Sequence, residues 1–461
     1  MKAILPFSTL ARMEPWCPSA IERAMERPMP KPLPFLCASA LALSLTACAG
    51  TINNSTADTA SNVTFTFTDS GVTAAGETDT GYEIDGTALT ITSSGTYTVS
   101  GSCADGSIKV KKSTTGVTLV LDGLTLTSEN TAAITCGKSS EVTILVSNGT
   151  ENSLSDTEQN NDENYPENEN AENENAENAV IKCKDGSLVT LCGDGELTIT
   201  ANGKNGIKSG ATTDEDGEAS LTIRDLTLNI DAPVNDAINA EQLLNVESGT
   251  LTIDAADDTI HCDLVLNIGA DGTDGSTIDI TNCCEGLEGA ELNVCSGDIT
   301  INASDDCLNA ANSDLTDYDF TMTISGGTID ACSSAGDGFD SNGELTITGD
   351  TVIVWTANTA DNEPLDADGT ITVSGGTVLA AGGSSGMGMG GGFPGGGQKP
   401  DGEPPESFDG QMPNGEKSEL PDGEVPEMPG GERPTPPSGQ GSPADGNAPA
   451  GDSTSDTTPT A

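Results

Sequence analysis

The segment INASDDCLNAAN, Ile301 to Asn312, places Asp305 and Asp306 side by side at the end of an alternating apolar stretch. Two carboxylates there are compatible with acid and base work on a glycosidic bond, with ligation of a hard cation, and with a solvated turn. The neighbouring segments bear on the choice, because the pair recurs in altered form along the chain. When the sequence is aligned on Ile238, Ile260, Leu287, Leu308, Phe339 and Leu365, an acid stands two positions earlier each time: Asp236, Asp258, Glu285, Asp306, Asp337 and Glu363. One position later come Asn239, His261, Glu288, Asn309, Asp340 and Asp366. Asp257 and Asp305 directly precede members of the first column.

The elements that must position these acids follow from the repeat. Units such as LLNVESGTLTIDAADDTIHCD, ELNVCSGDITINASDDCLNAAN and TMTISGGTIDACSSAGDGFDSNG recur with a period of roughly 21 to 31 residues, in the range of solenoids. Each unit has a short alternating strand, a Gly turn, a second alternating strand, the acidic corner and a brief third strand. This grammar predicts an all-β fold, a single-stranded right-handed parallel β-helix with three short strands per rung, over residues 65–383. A β-sandwich, the other all-β candidate, would not keep one corner in register. Cys136, Cys183 and Cys262 fall two residues after the corner's apolar residue, where other rungs have Ala240, Ala310, Ser209 and Ser341. They are expected as stacked core thiols.

Stacked rungs would bring equivalent carboxylates to about 4.8 Å from each other along the solenoid. At an effective dielectric of about 20, two such charges repel by roughly 3 to 4 kcal/mol. Lys and Arg do not neutralise them: after Arg224 the next basic side chain is Lys399, and about thirty Asp and Glu lie between. Ca²⁺ takes six to eight oxygens from carboxylates, Asn side chains and carbonyls, all of which the corners supply. The expected ligands are Asp236, Asp257, Asp258, Glu285, Glu288, Asp305, Asp306, Asn309, Asp337, Asp340 and Asp366, set against unmetallated, solvated acids as the other reading. Asn205 and Lys208 hold the matching positions in the first full rung. No EF-hand loop, calcium nonapeptide or CxxC pair is present.

Composition agrees with cations as partners. The chain has 461 residues, 17 Lys and Arg against 73 Asp and Glu, and a formal charge of −56, which argues against nucleic acid and anionic membrane surfaces. Near the N-terminus PKPLPFLCASALALSLTAC resembles a bacterial lipoprotein signal peptide, residues 1–48, with translation starting at Met25 or Met29. The resemblance implies a lipidated Cys48, a linker over 49–64, and membrane attachment through the lipid alone. A long acidic Glu/Asn loop is expected at 151–178, and a disordered Gly/Pro-rich acidic tail at 384–461.

With the rungs aligned, SGTYTVSG, VTLVLDGLTLTS, NGTENSLSD, NGIKSG, ASDDCLNA and GDGFDSNGELTITG together resemble the secreted carbohydrate-binding β-helix family of cellulolytic and gut anaerobes. The resemblance implies a calcium-binding parallel β-helix that binds pectic polygalacturonate and cellulose without catalysis. It carries calcium ligation over to Asp258, Asp305, Asp306, Asp337 and Asp340. The chain departs from that pattern in Cys307, where Gly is usual, in its long loop, and in a lipid anchor where some relatives carry a dockerin module.

The enzymatic alternatives are a polygalacturonase-like hydrolase and a pectate lyase. SDDC resembles the paired aspartates of such hydrolases, but their Gly-His-Gly and Arg-Ile-Lys segments are missing, and the sole histidine, His261, has no glycine neighbours. Lyases of this kind commonly use an Arg base, and no Arg lies in the corresponding rungs. A purely structural surface adhesin is the third reading. Trp355 and Tyr318 are candidate sugar platforms, while Phe339 is assigned to the core. The expected protein is an extracellular, cell-surface lipoprotein that binds plant cell-wall polysaccharide with calcium.

Overall fold

Apolar residues that alternate with Thr, Asn and Asp can bury one side of a segment only if it is extended. In Thr227–Ala232 the alternate residues Leu228, Ile230 and Ala232 are buried while Thr227 and Asp231 are exposed. The computed structural model describes residues 61–383 apart from 77–79, 165–174, 214–216 and 358–361. By its contacts the chain divides between residues 392 and 393, so all of these residues lie in the first unit. They form one sheet of 31 strands, and the helical content among the described residues is two short 3-10 turns, Glu158–Asn160 and Asp162–Asn164.

Pairing is parallel and advances by three. Glu141–Val146 pairs with Leu188–Gly193, which pairs with Ser220–Arg224; Glu151–Asp156 pairs with Glu196–Thr200; Ala179–Cys183 pairs with Asn205–Ser209. The chain therefore returns to the same ladder after every third strand, which is the connectivity expected of a solenoid. Ile260–Ile268 and Leu287–Val294 are longer and each serves two ladders.

One of the three, the corner ladder, has the register read from the acids. Ile238 pairs with Ile260, Ile260 with Leu287, Leu287 with Leu308, Leu308 with Phe339, and Phe339 bridges to Leu365. Ile207, Ile181, Ile134 and Ile108 extend the column towards the N-terminus. From Ile238 to Phe339 these inward side chains are fully buried. Cys136 and Cys183 are register partners, Cys262 pairs with Ala240 and Gly289, and all three thiols are buried and free. On an outward face Asn293 donates to Asn267 at 3.1 Å and Asn267 to Asn245 at 2.9 Å, so amides stack in satisfied pairs.

The N-terminal end departs from the rung pattern. Ser61–Thr68 pairs antiparallel with Gly71–Gly76, and Tyr82–Asp85 antiparallel with Ala88–Ile91. Phe65 meets Tyr82 edge-on at 4.9 Å and stacks near Tyr97 at 6.3 Å, filling the end of the core with rings. Residues 61–64, expected within the linker, belong to the first strand. Residues 151–156, expected as the start of the acidic loop, form the strand Glu151–Asp156. Its inward Asn152 and Asp156 look like loop residues, yet each accepts two backbone N–H groups: Asn152 from Gly123 and Leu124, Asp156 from Asn202 and Gly203. The signal segment with Cys48, residues 49–60 of the linker, loop residues 165–174 and the tail from 384 lie outside the described residues.

Because every inward residue is gripped by coils on both sides, a truncation there leaves a cavity that cannot collapse along the stack. Leu287→Ala is expected to lower stability by about 2 to 5 kcal/mol. Chemical denaturation followed by circular dichroism measures this; an unchanged midpoint would contradict the packing of that column.

Candidate functional site

The backbone fixes the acidic column before any side chain contributes. The N–H after each acid donates to the carbonyl of the acid in the next coil: Ala237 to Asp258 at 3.0 Å, Thr259 to Glu285 at 3.0 Å, Gly286 to Asp306 at 3.0 Å, Cys307 to Asp337 at 3.2 Å and Gly338 to Glu363 at 2.9 Å. Gly206 donates to Asp236 in the same way. Three carboxylates then accept the N–H of the next acid: Asp236 from Asp258 at 3.3 Å, Asp306 from Asp337 at 2.6 Å and Asp337 from Glu363 at 2.6 Å. Such bonds favour the ionised acid and partly offset the crowding of like charge.

The offset is incomplete. Burial, then Asp258, pushes Asp236 up to about 6, against a hydrogen bond from Asn239. Burial, with Glu288, Asp258 and Asp306 nearby, pushes Glu285 up to about 8, against a bond from Asn309. Burial and then Asp305, Asp340 and Asp337 push Asp306 up to about 7. Burial and then Asp337, Asp366 and Asp368 push Asp340 up to about 6. Asp257 and Asp337 are raised as well, each by burial first.

Two clusters stand out, and their chemistry differs. In the first, His261 Nδ1 lies 3.3 Å from Asp258 Oδ2 and contacts Glu288 Oε2, while Nε2 lies 3.0 Å from Asp263 Oδ1. Burial alone would lower the imidazole, but the three carboxylates hold it well above its ordinary range. The cluster thus carries its own cation, built from the sole histidine. In the second, one carboxylate oxygen from each of Asp337, Asp340 and Asp366 falls within 4.8 Å of the others. That donor set is oxygen only and has no cationic side chain in it.

The second cluster suits a hard divalent cation, since three carboxylates supply up to six oxygens at variable denticity. A further observation points the same way. Asn309 Oδ1 is buried without a hydrogen-bond partner, and Asn309 sits in the ladder between Glu288 and Asp340. An orphaned amide oxygen between two acids is a donor looking for a cation. In the same corner Gly336 lies against the preceding coil, where a Cβ would collide with the carboxylates of Asp305 and Asp306.

The eleven residues singled out in the sequence are therefore distributed unevenly. Asp337, Asp340 and Asp366 come together; Asp258 and Glu288 come together around His261. Asp236, Glu285 and Asn309 line the same ladder, Asp306 is half-buried beside Asp337, and Asp257 and Asp305 are exposed. The partners of His261 do not include Asp305 or Asp306, so that pair has no imidazole to divide acid and base work with. Trp355 is 45% exposed on a different ladder, paired with Cys332 and Ala381. Tyr318 lies in the loop after Leu308–Ala310, donates to Glu291 at 2.7 Å and packs on Phe320 at 5.4 Å. The two rings do not share a ladder. Asp263 was missed from the sequence, although alternate residues of a strand share a face and His261 lies two positions before it.

The family described as "Carbohydrate-binding domain-containing protein" matches residues 85–386. A protein of that description from Acetivibrio thermocellus is 37% identical over 119 residues, 25% of this chain and 38% of the relative, so the match spans well under half of the relative's length. A solved structure described as the polysaccharide lyase-like protein from C. thermocellum, a gadolinium derivative, is 25% identical, covers 70% of this chain and 98% of its own, and aligns with a TM-score of 0.35. With the match extending over most of the corner ladder, the chain belongs to the carbohydrate-binding domain-containing protein family.

Proposed function

We propose that this protein is a cell-surface lipoprotein that binds plant cell-wall polysaccharide, pectate or polygalacturonate and cellulose, with calcium and without catalysis, on a right-handed parallel β-helix. Family membership supports the carbohydrate partner. The observation that carries the calcium reading is the all-oxygen cluster of Asp337, Asp340 and Asp366, with the orphaned Asn309 Oδ1 on the same ladder. Bound there, the ion would supply neutralisation of the carboxylates and open coordination positions for a sugar oxygen.

The chain's own groups do the rest. Parallel register holds the three carboxylates at fixed spacing, so little ordering is left to complete at binding. The N–H bonds to Asp306 and Asp337 keep these side chains aimed along the ladder. Exposed Trp355 offers an apolar face on which a sugar ring can stack, and Tyr318, held by Glu291, offers a second. Cys48 provides the attachment to the membrane, and the tail from 384 spaces the domain or contacts the wall.

Asp305→Ala combined with Asp306→Ala is expected to reduce calcium affinity and calcium-dependent retention on insoluble pectate together, roughly tenfold. Calorimetric calcium titration and co-sedimentation measure the two; an unchanged titration removes these acids from the site. Wild-type retention that chelator abolishes, with no soluble product, supports the binding reading. Release of reducing ends or unsaturated uronates would overturn it.

A second expectation concerns pH. Asp236, Glu285, Asp306 and Asp340 hold protons more tightly in the fold than in the unfolded chain. Their contribution to stability is complete below about pH 4, the ordinary carboxylate value, and is lost as pH rises through about 6 to 8. In chelator, the thermal midpoint is expected to be higher at pH 5 than at pH 8.5, and saturating calcium should remove most of that difference. A chelated protein equally stable at both values would show that the acids are relieved some other way.

A further inference from the structure

The register that aligns the acids also aligns lysines, which the calcium reading leaves unused. One position after the inward residue, the corner ladder carries in order Lys109, Thr135, Lys182, Lys208, Asn239, His261, Glu288, Asn309 and Asp340. One outward column therefore begins cationic and ends anionic. Lys182 and Lys208 are direct partners in adjacent coils, with backbones about 4.8 Å apart. Lys109 is two coils before Lys182, separated from it by Thr135.

Neighbouring lysines are neutralised: Lys184 pairs with Glu177 at 2.7 Å, Lys138 with Asp185 at 3.6 Å, and Lys204 with Glu163 at 2.5 Å. Among the described residues no carboxylate forms an ion pair with Lys182 or Lys208. Burial and then the Lys208 charge hold the Lys182 ammonium below its ordinary range, against the opposing charges of Glu241 and Glu177. Two half-buried ammonium groups in register, mutually repelling, are a preformed site for anionic groups. On a chain of formal charge −56, this is a place where an anionic polymer meets attraction without a metal.

We propose that Lys182 and Lys208, assisted by Lys109, form a metal-independent site for the carboxylates of a polyuronate. A linear polymer with regularly recurring carboxylates fits a column of point charges that runs from coil to coil, better than a single small anion does. Lying along the ladder, it would meet ammonium groups first and the acidic coils after them, so the two ends of the column would contact it by different chemistry. This rests on the polysaccharide reading above and adds to it a contact that calcium does not make.

The test uses the full mature protein with soluble polygalacturonate, and hydroxyethyl cellulose as the uncharged control, in chelator at low salt. The wild type is expected to bind polygalacturonate in a salt-sensitive manner. K182Q/K208Q should weaken this about tenfold, K182R/K208R should retain it because the charge stays, and D337N/D340N should leave it undiminished. The inference is overturned if K182Q/K208Q binds like the wild type in chelator, if the chelated wild type does not bind at all, or if the uncharged polymer loses as much. It is also overturned if the lysine variant dissolves a salt-sensitive oligomer while polymer binding persists, since the occupant would then be a second copy. With calcium present, polygalacturonate retention that K182Q/K208Q leaves intact and D337N/D340N abolishes would keep the calcium reading and remove the lysine site, so the two fail separately.

Discussion

Parallel, in-register stacking is the constraint on which the rest of this structure depends. It makes each position of the corner a column, so that any ionisable residue placed there faces its own kind about 4.8 Å away unless the next coil differs. At an effective dielectric of about 20, the repulsion of roughly 3 to 4 kcal/mol per neighbouring pair is comparable to the net stability of many whole domains when summed along a few coils. A β-helix can carry acids on one ladder only by relieving them position by position.

The chain uses several means of relief, and they are not equally available everywhere. In the column two positions before the inward residue, Asp236, Asp306 and Asp337 accept the N–H of the following acid. In the column one position after it, Asn239, His261 and Asn309 interrupt the acids. His261 further contacts Asp258, Asp263 and Glu288 together, placing one positive charge among the three carboxylates. After Asn309 no amide or imidazole interrupts the second column: Asp340 is followed directly by Asp366, with Asp337 beside both. The all-oxygen cluster therefore forms where the second column has lost its amides and its imidazole, which is the physical reason to look for an external cation there and not around His261.

Much of this was legible in the sequence because a solenoid writes its register as a period. The sequence register of Ile238, Ile260, Leu287, Leu308 and Phe339 is the observed pairing, residue for residue. What alternation cannot express is strand direction, so residues 65–85 fall within the expected solenoid although Ser61–Thr68 and Tyr82–Asp85 each have an antiparallel partner. Nor can it express polar residues turned inward: Asn152 and Asp156 looked like loop because their partners, N–H groups of distant coils, exist only after stacking. The lysine column lies in the same register as Cys136 and Cys183, one position after Ile108, Ile181 and Ile207, but one residue type recurring at three of four coils is a weaker signal than the unbroken acids.

The same alternation separates stability from recognition. Cys307 stands immediately after Asp306 in the acidic corner. Its side chain is buried in the core beside Cys283, and burial raises both thiols, Cys283 to about 12, so neither is a ready ligand or nucleophile. The carboxylate of Asp306, one residue earlier, still accepts the N–H of Asp337. A corner can therefore exchange its inward residue while keeping the carboxylate register that surrounds it, because the two sets of atoms project to opposite sides of one backbone. Charge on the outward columns can vary in turn, from lysine through histidine to aspartate, over an inward column that stays apolar from Ile108 to Phe339. This lets one repeat present a cationic end and an anionic end along a single ladder.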